Sequence, residues 1–331
     1  MNSSSPSEGK RPVFVLGSPR SGTTLLYHMI LSAGNFAVYR SESNVFNLLA
    51  PRFGDLSVRR NREALMKLWL GSKLFTRSGL EARAIEAKVV TECTGGGDFL
   101  RIVMEEIART QGVQRWADCT PDHLLYLPAI KREIPEALVV HILRDGRDVA
   151  LSLDKQGWIR PLPWDRGKSV VVAGLYWQWM VNRGREDGRA LGADYTEIHF
   201  EDLIQNPRGV LAKLGEFIGH DLDYDKILKV GIGSVSDPNT SFKAESDNAR
   251  FNPVGRWRSH FPVEQLAMFE NLAGQTLATL GYELATTGAQ HGKAGWKGMR
   301  AAYESLYSSK LWLKQNTSLG KIFISDDLSW L

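Results

Sequence analysis

Residues 17–24, which read GSPRSGTT, combine the residue types best suited to chemistry in this chain. Two glycines, several hydroxyls and one cation, Arg20, stand between a β-rich run and the expected start of a helix. In such a loop the backbone N–H groups converge on an anion, and the helix dipole favours negative charge. A Walker A loop has Lys after its last glycine, whereas Thr23 follows Gly22 here. The sequence therefore predicts a phosphate-binding loop that differs from the usual magnesium–nucleoside triphosphate site.

A second anion-binding arrangement lies about 120 residues further on, in LVVHILRDGRDVALS (138–152). A strand of the buried type ends at Arg144, and Ser152 follows eight residues later on a predicted helix. A guanidinium group offers a bidentate fork to phosphate, and eight helical residues make about two turns. Two phosphate-binding blocks in this order are a far more specific signal than one glycine-rich loop.

These two blocks resemble the sulfotransferases that use 3′-phosphoadenosine 5′-phosphosulfate (PAPS) and release the desulfated product PAP. The resemblance covers residues 11–284, and FNPVGRWRSHF with the later LGYEL (251–284) makes it closest to the tyrosylprotein sulfotransferase-like branch. It implies an α/β fold, a P-loop-like three-layer sandwich whose mostly parallel central sheet has helices on both faces. It implies that Arg144 and Ser152 hold the 3′-phosphate. The residues implied to hold the 5′-phosphosulfate are Arg20, Ser21, Gly22, Thr23 and Thr24.

Sulfuryl transfer to a hydroxyl needs a base for the acceptor's proton and charge that steadies the moving group. Glu42 is the predicted base, because it follows a predicted second strand and resembles a Glu at the matching place in the tyrosylprotein branch. Partial desolvation in the crevice would raise its pKa. Arg20 is the second predicted catalytic residue, since it would neutralise charge in the transition state. The alternative for Glu42 is a helix cap or a surface carboxylate.

One position departs from the family pattern. Residues 118–123 read DCTPDH, and Cys119 stands where the family often has a Lys that steadies the sulfuryl oxygens. A thiol cannot replace an ammonium group in that role, so either Arg20 and the backbone suffice or another cation, such as His28 or His123, fills the gap. His123 is also the main rival to Glu42 as base, since imidazole titrates near neutral pH.

Two further residues are predicted to bind the nucleotide. Phe200 occupies the place where relatives commonly put Tyr against adenine, and Phe still offers a flat apolar ring there. Arg256 would approach the 3′-phosphate, with a surface cation as the alternative.

The elements that must position these residues alternate between strands and helices, which implies a mostly parallel sheet. The predicted strands are 12–16, 36–39, 116–118, 138–143 and 195–200. The predicted helices are 23–33, 60–74, 98–111, 145–154, 168–187, 207–218 and 263–280.

Three parts are expected along the chain: a disordered tail (1–10), the sulfotransferase domain (11–285) and a helical extension (286–331). In the extension, apolar residues recur at helical spacing among basic ones, namely Trp296, Met299, Tyr303, Leu306 and Tyr307. Such a stripe packs on the domain or on a second subunit of a homodimer. A basic helix lying on an anionic membrane surface through 293–314 is the alternative.

The composition of the 331 residues, 43% hydrophobic and 24% charged, excludes a disordered or fibrous chain. The net charge of +4 suits an anionic co-substrate and needs no nucleic acid. We expect no metal, since no zinc-ligand cluster is present, and no transmembrane segment, since no apolar run approaches about 20 residues. Without a secretory signal, the expected location is the cytoplasm.

Two other functions stay open at this point. A P-loop kinase or NTPase would need the Walker Lys, which Thr23 replaces. A non-catalytic PAPS-binding homologue is suggested by Cys119. The acceptor is also open, since a small molecule, lipid, sugar or peptide would each fit.

Overall fold

The computed structural model describes residues 10–236, 252–286 and 294–317. In these ranges the chain forms a sheet of four parallel strands in the order β2–β1–β3–β4. The strands are β1 (Val13–Leu16), β2 (Ala117–Asp118), β3 (Leu138–Leu143) and β4 (Tyr195–His199).

Helices connect the strands and cover the sheet. The α-helices are α1 (Thr23–Ser32), α2 (Ala50–Phe53), α3 (Arg59–Leu70), α4 (Lys73–Ser78), α5 (Ala82–Glu92), α6 (Gly96–Thr110), α7 (Leu127–Glu133), α8 (Gly146–Gln156), α9 (Ser169–Arg189), α10 (Phe200–Gln205), α11 (Pro207–Ile218), α12 (Tyr224–Val230), α13 (Trp257–His260), α14 (Val263–Thr279) and α15 (Ala294–Asn316). A π-helical turn (Val45–Leu49) precedes α2, and the 3-10 turns are Pro121–Tyr126, Pro163–Lys168, Gly192–Asp194 and Gly233–Val235.

The two central strands, β1 and β3, are largely apolar because both faces of the sheet are covered there. Every residue of β1 and β3 is buried. Phe14 and Leu16 enter a cluster that includes side chains of α3 and α6, whereas Val13 and Val15 enter one built on α1 and α11. A strand with helices on both sides reads as a continuous apolar run. The predicted parallel sheet with helices on both faces is therefore confirmed.

The predicted second strand over 36–39 is wrong beyond its first residue. Phe36 makes a single parallel bridge with Arg115, and Ala37 N–H donates to the Arg115 carbonyl oxygen at 2.7 Å. Further along, the Tyr39 carbonyl oxygen accepts from the Tyr27 hydroxyl at 2.6 Å rather than from a neighbouring strand. The chain leaves the sheet edge here because Val38 pairs with a side chain instead of a strand: its N–H donates to Gln111 Oε1 at 2.7 Å.

The C-terminal helix α15 packs against α9 and α14. Tyr303 is buried, and the ring centroid of Tyr307 lies 5.3 Å from that of Tyr176 on α9. Leu306, on the other side of the helix, is 44% exposed. Contact of this helix with a membrane surface or a second subunit remains a prediction. Each helix within the described ranges is too short or too polar to cross a bilayer.

Candidate active site at the ends of the parallel strands

All four strands end at the same edge of the sheet, and each is followed there by a residue predicted for the site. β1 leads into the 17–22 loop, β2 into Cys119, β3 into Arg144 and β4 into Phe200. The carboxyl ends of parallel strands open on a shared crevice. The topology therefore gathers residues that are far apart in the chain.

The 17–22 loop has a backbone that few residues adopt. Gly22 is the N-cap of α1 with a φ of 98°, and Arg20 has a φ of 73°. The hydroxyls of Ser18 and Ser21 are buried and have no hydrogen-bond partner among the described residues. A buried polar group without a partner costs about 1–3 kcal/mol and is rare. The loop therefore fits a ligand that exchanges hydrogen bonds with these hydroxyls.

Arg20 reaches from the loop to α8. Its Nε donates to Ser152 Oγ at 2.9 Å, and its two terminal nitrogens make no hydrogen bond within the described ranges. Burial lowers the pKa of Arg20, and the charge of Arg144 lowers it further. A partly desolvated guanidinium beside a second cation favours an anion as its partner.

Arg144 is buried at the end of β3 and contacts the loop directly. One terminal nitrogen donates to the Arg20 carbonyl oxygen at 2.8 Å, and the other donates to the Pro253 carbonyl oxygen at 2.6 Å. Its Nε has no partner in the part of the chain that the structure describes. The two predicted anion-binding blocks thus lie in one crevice, joined by hydrogen bonds from Arg144 to Arg20 and from Arg20 to Ser152.

Phe200 packs between the loop and Arg144. Its ring centroid lies 4.5 Å from the Arg144 guanidinium carbon. A Cβ at position 22 would lie 2.3 Å from the Phe200 ring, so Gly22 is required by its positive φ and by this contact. The stacking of Phe200 on adenine stays a prediction.

Sequence reasoning missed the residues that fasten the 252–257 segment beside Arg144. Asp148 accepts from the backbone N–H groups of Gly255 and Trp257, both at 2.8 Å. The Arg147 guanidinium carbon lies 3.6 Å from a ring centroid of Trp257. The signal was present in the charged run DGRD (145–148), which directly follows Arg144 at a helix start.

Arg256 is thereby held near Arg144. Burial is the main cause that lowers the pKa of Arg144, and the charge of Arg256 lowers it further. The predicted contact of Arg256 with a 3′-phosphate remains a proposal.

Glu42 is exposed in the crevice, although protein atoms crowd one side of its carboxyl group. The loss of hydration on that side, followed by the negative charges of Asp122 and Asp118, raises its pKa to about 7. A carboxylate that is half protonated near neutral pH and open to solvent can accept a proton from a bound molecule.

Cys119 lies between Glu42 and the phosphate-binding loop. Burial, and then the charges of Glu42 and Asp118, raise the pKa of this thiol well above its usual range, while hydrogen bonding with the Thr23 side chain acts in the opposite direction. The thiol is therefore neutral and unsuited to act as a nucleophile. Glu42 and Thr23, which directly follows the loop, are therefore both near this thiol.

His123 does not supply the cation that the family pattern lacks. It is fully buried, its Nδ1 lies 2.9 Å from Asp118 Oδ2, and its Nε2 accepts from Phe46 N–H at 3.1 Å. This pairing assigns the proton to Nδ1. Because Nε2 already accepts a hydrogen bond, His123 has no free ring nitrogen to take a proton from the sulfate acceptor. The Asp118–His123 pair instead holds the backbone at Phe46, shortly after Glu42, through the hydrogen bond from Phe46 N–H.

His28 does not fill the gap either. Burial, aided by the charge of Arg40, lowers its pKa to about 4, so the ring is neutral near pH 7. Its Nδ1 accepts from Ser234 N–H at 3.0 Å. Of the cations named from the sequence for this role, Arg20 therefore remains.

The sheet, the loop and the two neighbouring guanidinium groups define an α/β protein whose parallel strands end at a crevice with cationic and unpartnered polar groups. Its membership of a particular group follows from its sequence: residues 12–224, more than half of the chain, match the sequence model described as "Sulfotransferase family". The chain belongs to the sulfotransferase family, and the family supports sulfuryl transfer as its chemistry. The tyrosylprotein-like branch stays a prediction.

Solved structures agree on the fold, which is P-loop-like as predicted. The sulfotransferase domain from the curacin biosynthetic pathway is 15% identical, with a TM-score of 0.52, covering 83% of this chain and 99% of that one. The sulfotransferase domain from the Synechococcus PCC 7002 olefin synthase is 21% identical, with a TM-score of 0.52, covering 85% and 98%. Retinol dehydratase in complex with androsterone and the inactive cofactor PAP matches at a TM-score of 0.40 and 16% identity, covering 83% and 82%.

Proposed function

We propose that this protein transfers a sulfuryl group from PAPS to an acceptor hydroxyl, with Glu42 as general base and with release of PAP. The observation that carries the proposal is the hydrogen-bonded chain from Arg144 through Arg20 to Ser152. It joins a loop suited to one phosphate with an Arg–Ser pair suited to another. PAPS supplies an activated sulfuryl group: the S–O bond to the 5′-phosphate breaks as the acceptor oxygen bonds to sulfur, and the phosphate departs as part of PAP.

The residues of the crevice fit such a nucleotide. The unpartnered hydroxyls of Ser18 and Ser21 and the unpartnered Nε of Arg144 would gain hydrogen bonds from an anion. An anionic ligand would attract both Arg20 and Arg144 and so offset the repulsion between these two cations.

Each residue then has a defined task. Arg20 and the N–H groups at the start of α1 hold the sulfated phosphate and stabilise the charge that collects there on transfer. Arg144, Ser152 and Arg256 hold the 3′-phosphate. Glu42 accepts the acceptor's proton, because a pKa of about 7 keeps much of its carboxyl ionised at neutral pH while leaving it basic.

Nucleotide binding tests the first half of the proposal. Titration calorimetry should give PAP an affinity at least about tenfold above that of AMP, since only PAP has the 3′-phosphate that a charged fork can bind. Arg144→Lys should weaken PAP binding and leave AMP binding nearly unchanged. Equal affinities for PAP and AMP in the wild type would overturn the proposal.

Sulfate transfer tests the second half. With ³⁵S-labelled PAPS and a panel comprising a phenol, a primary alcohol, a sugar and a tyrosine peptide, we expect labelled product from at least one acceptor. Glu42→Gln should lower its rate by about 10²- to 10⁴-fold while PAP binding persists.

Cys119 gives one observation that favours a second function. Its thiol is buried and neutral where the family often has a Lys, so charge stabilisation in the crevice depends on fewer cations. A non-catalytic PAPS-binding homologue would bind PAP tightly and transfer no label to any acceptor of the panel.

A further inference from the structure

Trp158 is an exposed tryptophan that contacts the phosphate-binding loop. It is 56% exposed, yet its ring centroid lies 5.9 Å from the guanidinium carbon of Arg20. Cations above an indole face are attracted by the negative charge of the ring. Arg20 is thus held at two points, by Ser152 through its Nε and by Trp158 at its guanidinium group.

The end of α8 brings Trp158 to this position. Ser152 lies on α8, which ends at Gln156, and Gly157 follows as a left-handed cap with a φ of 65°. A reversal of the chain at a left-handed glycine is a common way for a helix to end. The same helix therefore supplies the hydrogen-bond acceptor for Arg20 and, just after its end, the ring beside it.

The C-terminal helix holds the segment that carries Trp158. The hydroxyl of Tyr303 on α15 accepts from Leu162 N–H at 2.8 Å and donates to Asp165 Oδ2 at 3.2 Å. Tyr303 is 1% exposed, so these bonds are shielded from water. Helix α15 lies outside residues 12–224, which carry the family match. A part of the chain beyond that match thus supports the crevice.

We infer that Trp158 is a positioning residue for Arg20, and that Tyr303 keeps it in place. The indole orients the guanidinium group so that its terminal nitrogens stay free for the sulfated phosphate. This inference rests on the proposed function, because the anion is the 5′-phosphate end of PAPS or PAP. Since Trp158 is on the surface, its replacement leaves the core intact.

Substitutions with a matched control test the inference through PAP binding. Trp158→Ala should weaken PAP binding about two- to fivefold, and Trp158→Phe less, since a smaller ring keeps part of the cation–π attraction. Trp164→Ala should have no effect, because Trp164 lies in the same segment, is 74% exposed and makes no ring contact with a cation in the described ranges. Tyr303→Phe should weaken PAP by less than Trp158→Ala, and the two effects should not add.

A spectroscopic readout separates contact from general structure. In protein labelled with 5-fluorotryptophan, the ¹⁹F resonance that disappears in Trp158→Phe should shift when PAP is added, and the one lost in Trp164→Ala should not. If wild type binds PAP but Trp158→Ala binds it equally well and the resonance stays still, the inference is overturned while the proposed function stands. If wild type binds PAP no better than AMP, both fall.

Discussion

Glu42, the proposed base, lies in an environment that changes its acidity. Its carboxyl group faces Asp118 and Asp122, while the neutral Cys119 thiol lies on the side of the loop. Partial dehydration, followed by the two negative neighbours, favours the protonated form and raises the pKa of Glu42 to about 7. A surface carboxylate that served only as a helix cap would have no such environment.

The rate of transfer should therefore depend on pH through Glu42. A base works only when ionised, so kcat/KM should rise as pH increases, with a midpoint near pH 7, and level off above it. Steady-state kinetics from pH 5.5 to 8.5 would measure this. Asp122→Asn removes one negative neighbour and should shift the midpoint to lower pH. A profile that is flat over this range would contradict Glu42 as the base.

Helix α9 packs closely against neighbouring elements at two of its glycines. A Cβ on Gly174 would lie 1.9 Å from the Phe269 ring on α14, and one on Gly184 would lie 2.5 Å from Leu124. The absence of side chains at these positions lets neighbouring elements touch the helix backbone. Close packing of this kind tolerates no added volume.

Gly174→Ala should accordingly destabilise the protein by about 1–3 kcal/mol, because the Phe269 ring has to move out of a packed core. Gly298→Ala on α15 is the matched control: no described residue lies within 4 Å of a Cβ there, and alanine should stabilise the helix by about 0.5–1 kcal/mol. Urea denaturation curves of both variants measure the two effects. Equal stabilities of the two variants would show that the α9–α14 contact is looser than described.

At the scale of the whole molecule, two buried histidines make stability depend on pH. Burial lowers the pKa of His141 to about 4, and burial with the charge of Arg40 does the same for His28. His141 Nδ1 lies 2.7 Å from the Tyr195 hydroxyl, and His28 holds the turn at Ser234. Both rings are therefore neutral parts of the folded structure.

The free energy of unfolding should fall as pH drops from about 6.5 to 4. In this window the unfolded chain binds protons at these histidines and the folded protein does not. Each histidine therefore adds up to about 1.4 kcal/mol per pH unit to the slope of the unfolding free energy against pH. Above pH 6.5 the contribution is complete. His28→Asn should reduce this slope relative to the wild type. Denaturation at a series of pH values measures both slopes, and equal slopes would contradict the assignment.

The sequence by itself determined the class of fold and the places of the two predicted anion-binding blocks at the ends of strands. The strand–loop–helix pattern around Arg20 and the strand that ends at Arg144 are local, because backbone geometry and hydrophobic periodicity depend on neighbours in the chain. The membership of the sulfotransferase family was likewise readable from those blocks and is confirmed. The strand over 36–39 was wrong because the backbone of Val38 bonds to the side chain of Gln111, a partner distant in the chain that no local pattern shows.

Only the tertiary structure decided which residues act together. Several features of the site depend on residues far apart in the chain. They are the bond between Arg20 and Ser152, the support of 252–257 by Asp148, the neutral state of His28 and the contact of Trp158 with Arg20. No local pattern encodes such pairs, since they arise when separate elements pack. A pKa or an unpartnered hydroxyl is likewise a property of that packing, because burial and neighbouring charge exist only once the chain has folded.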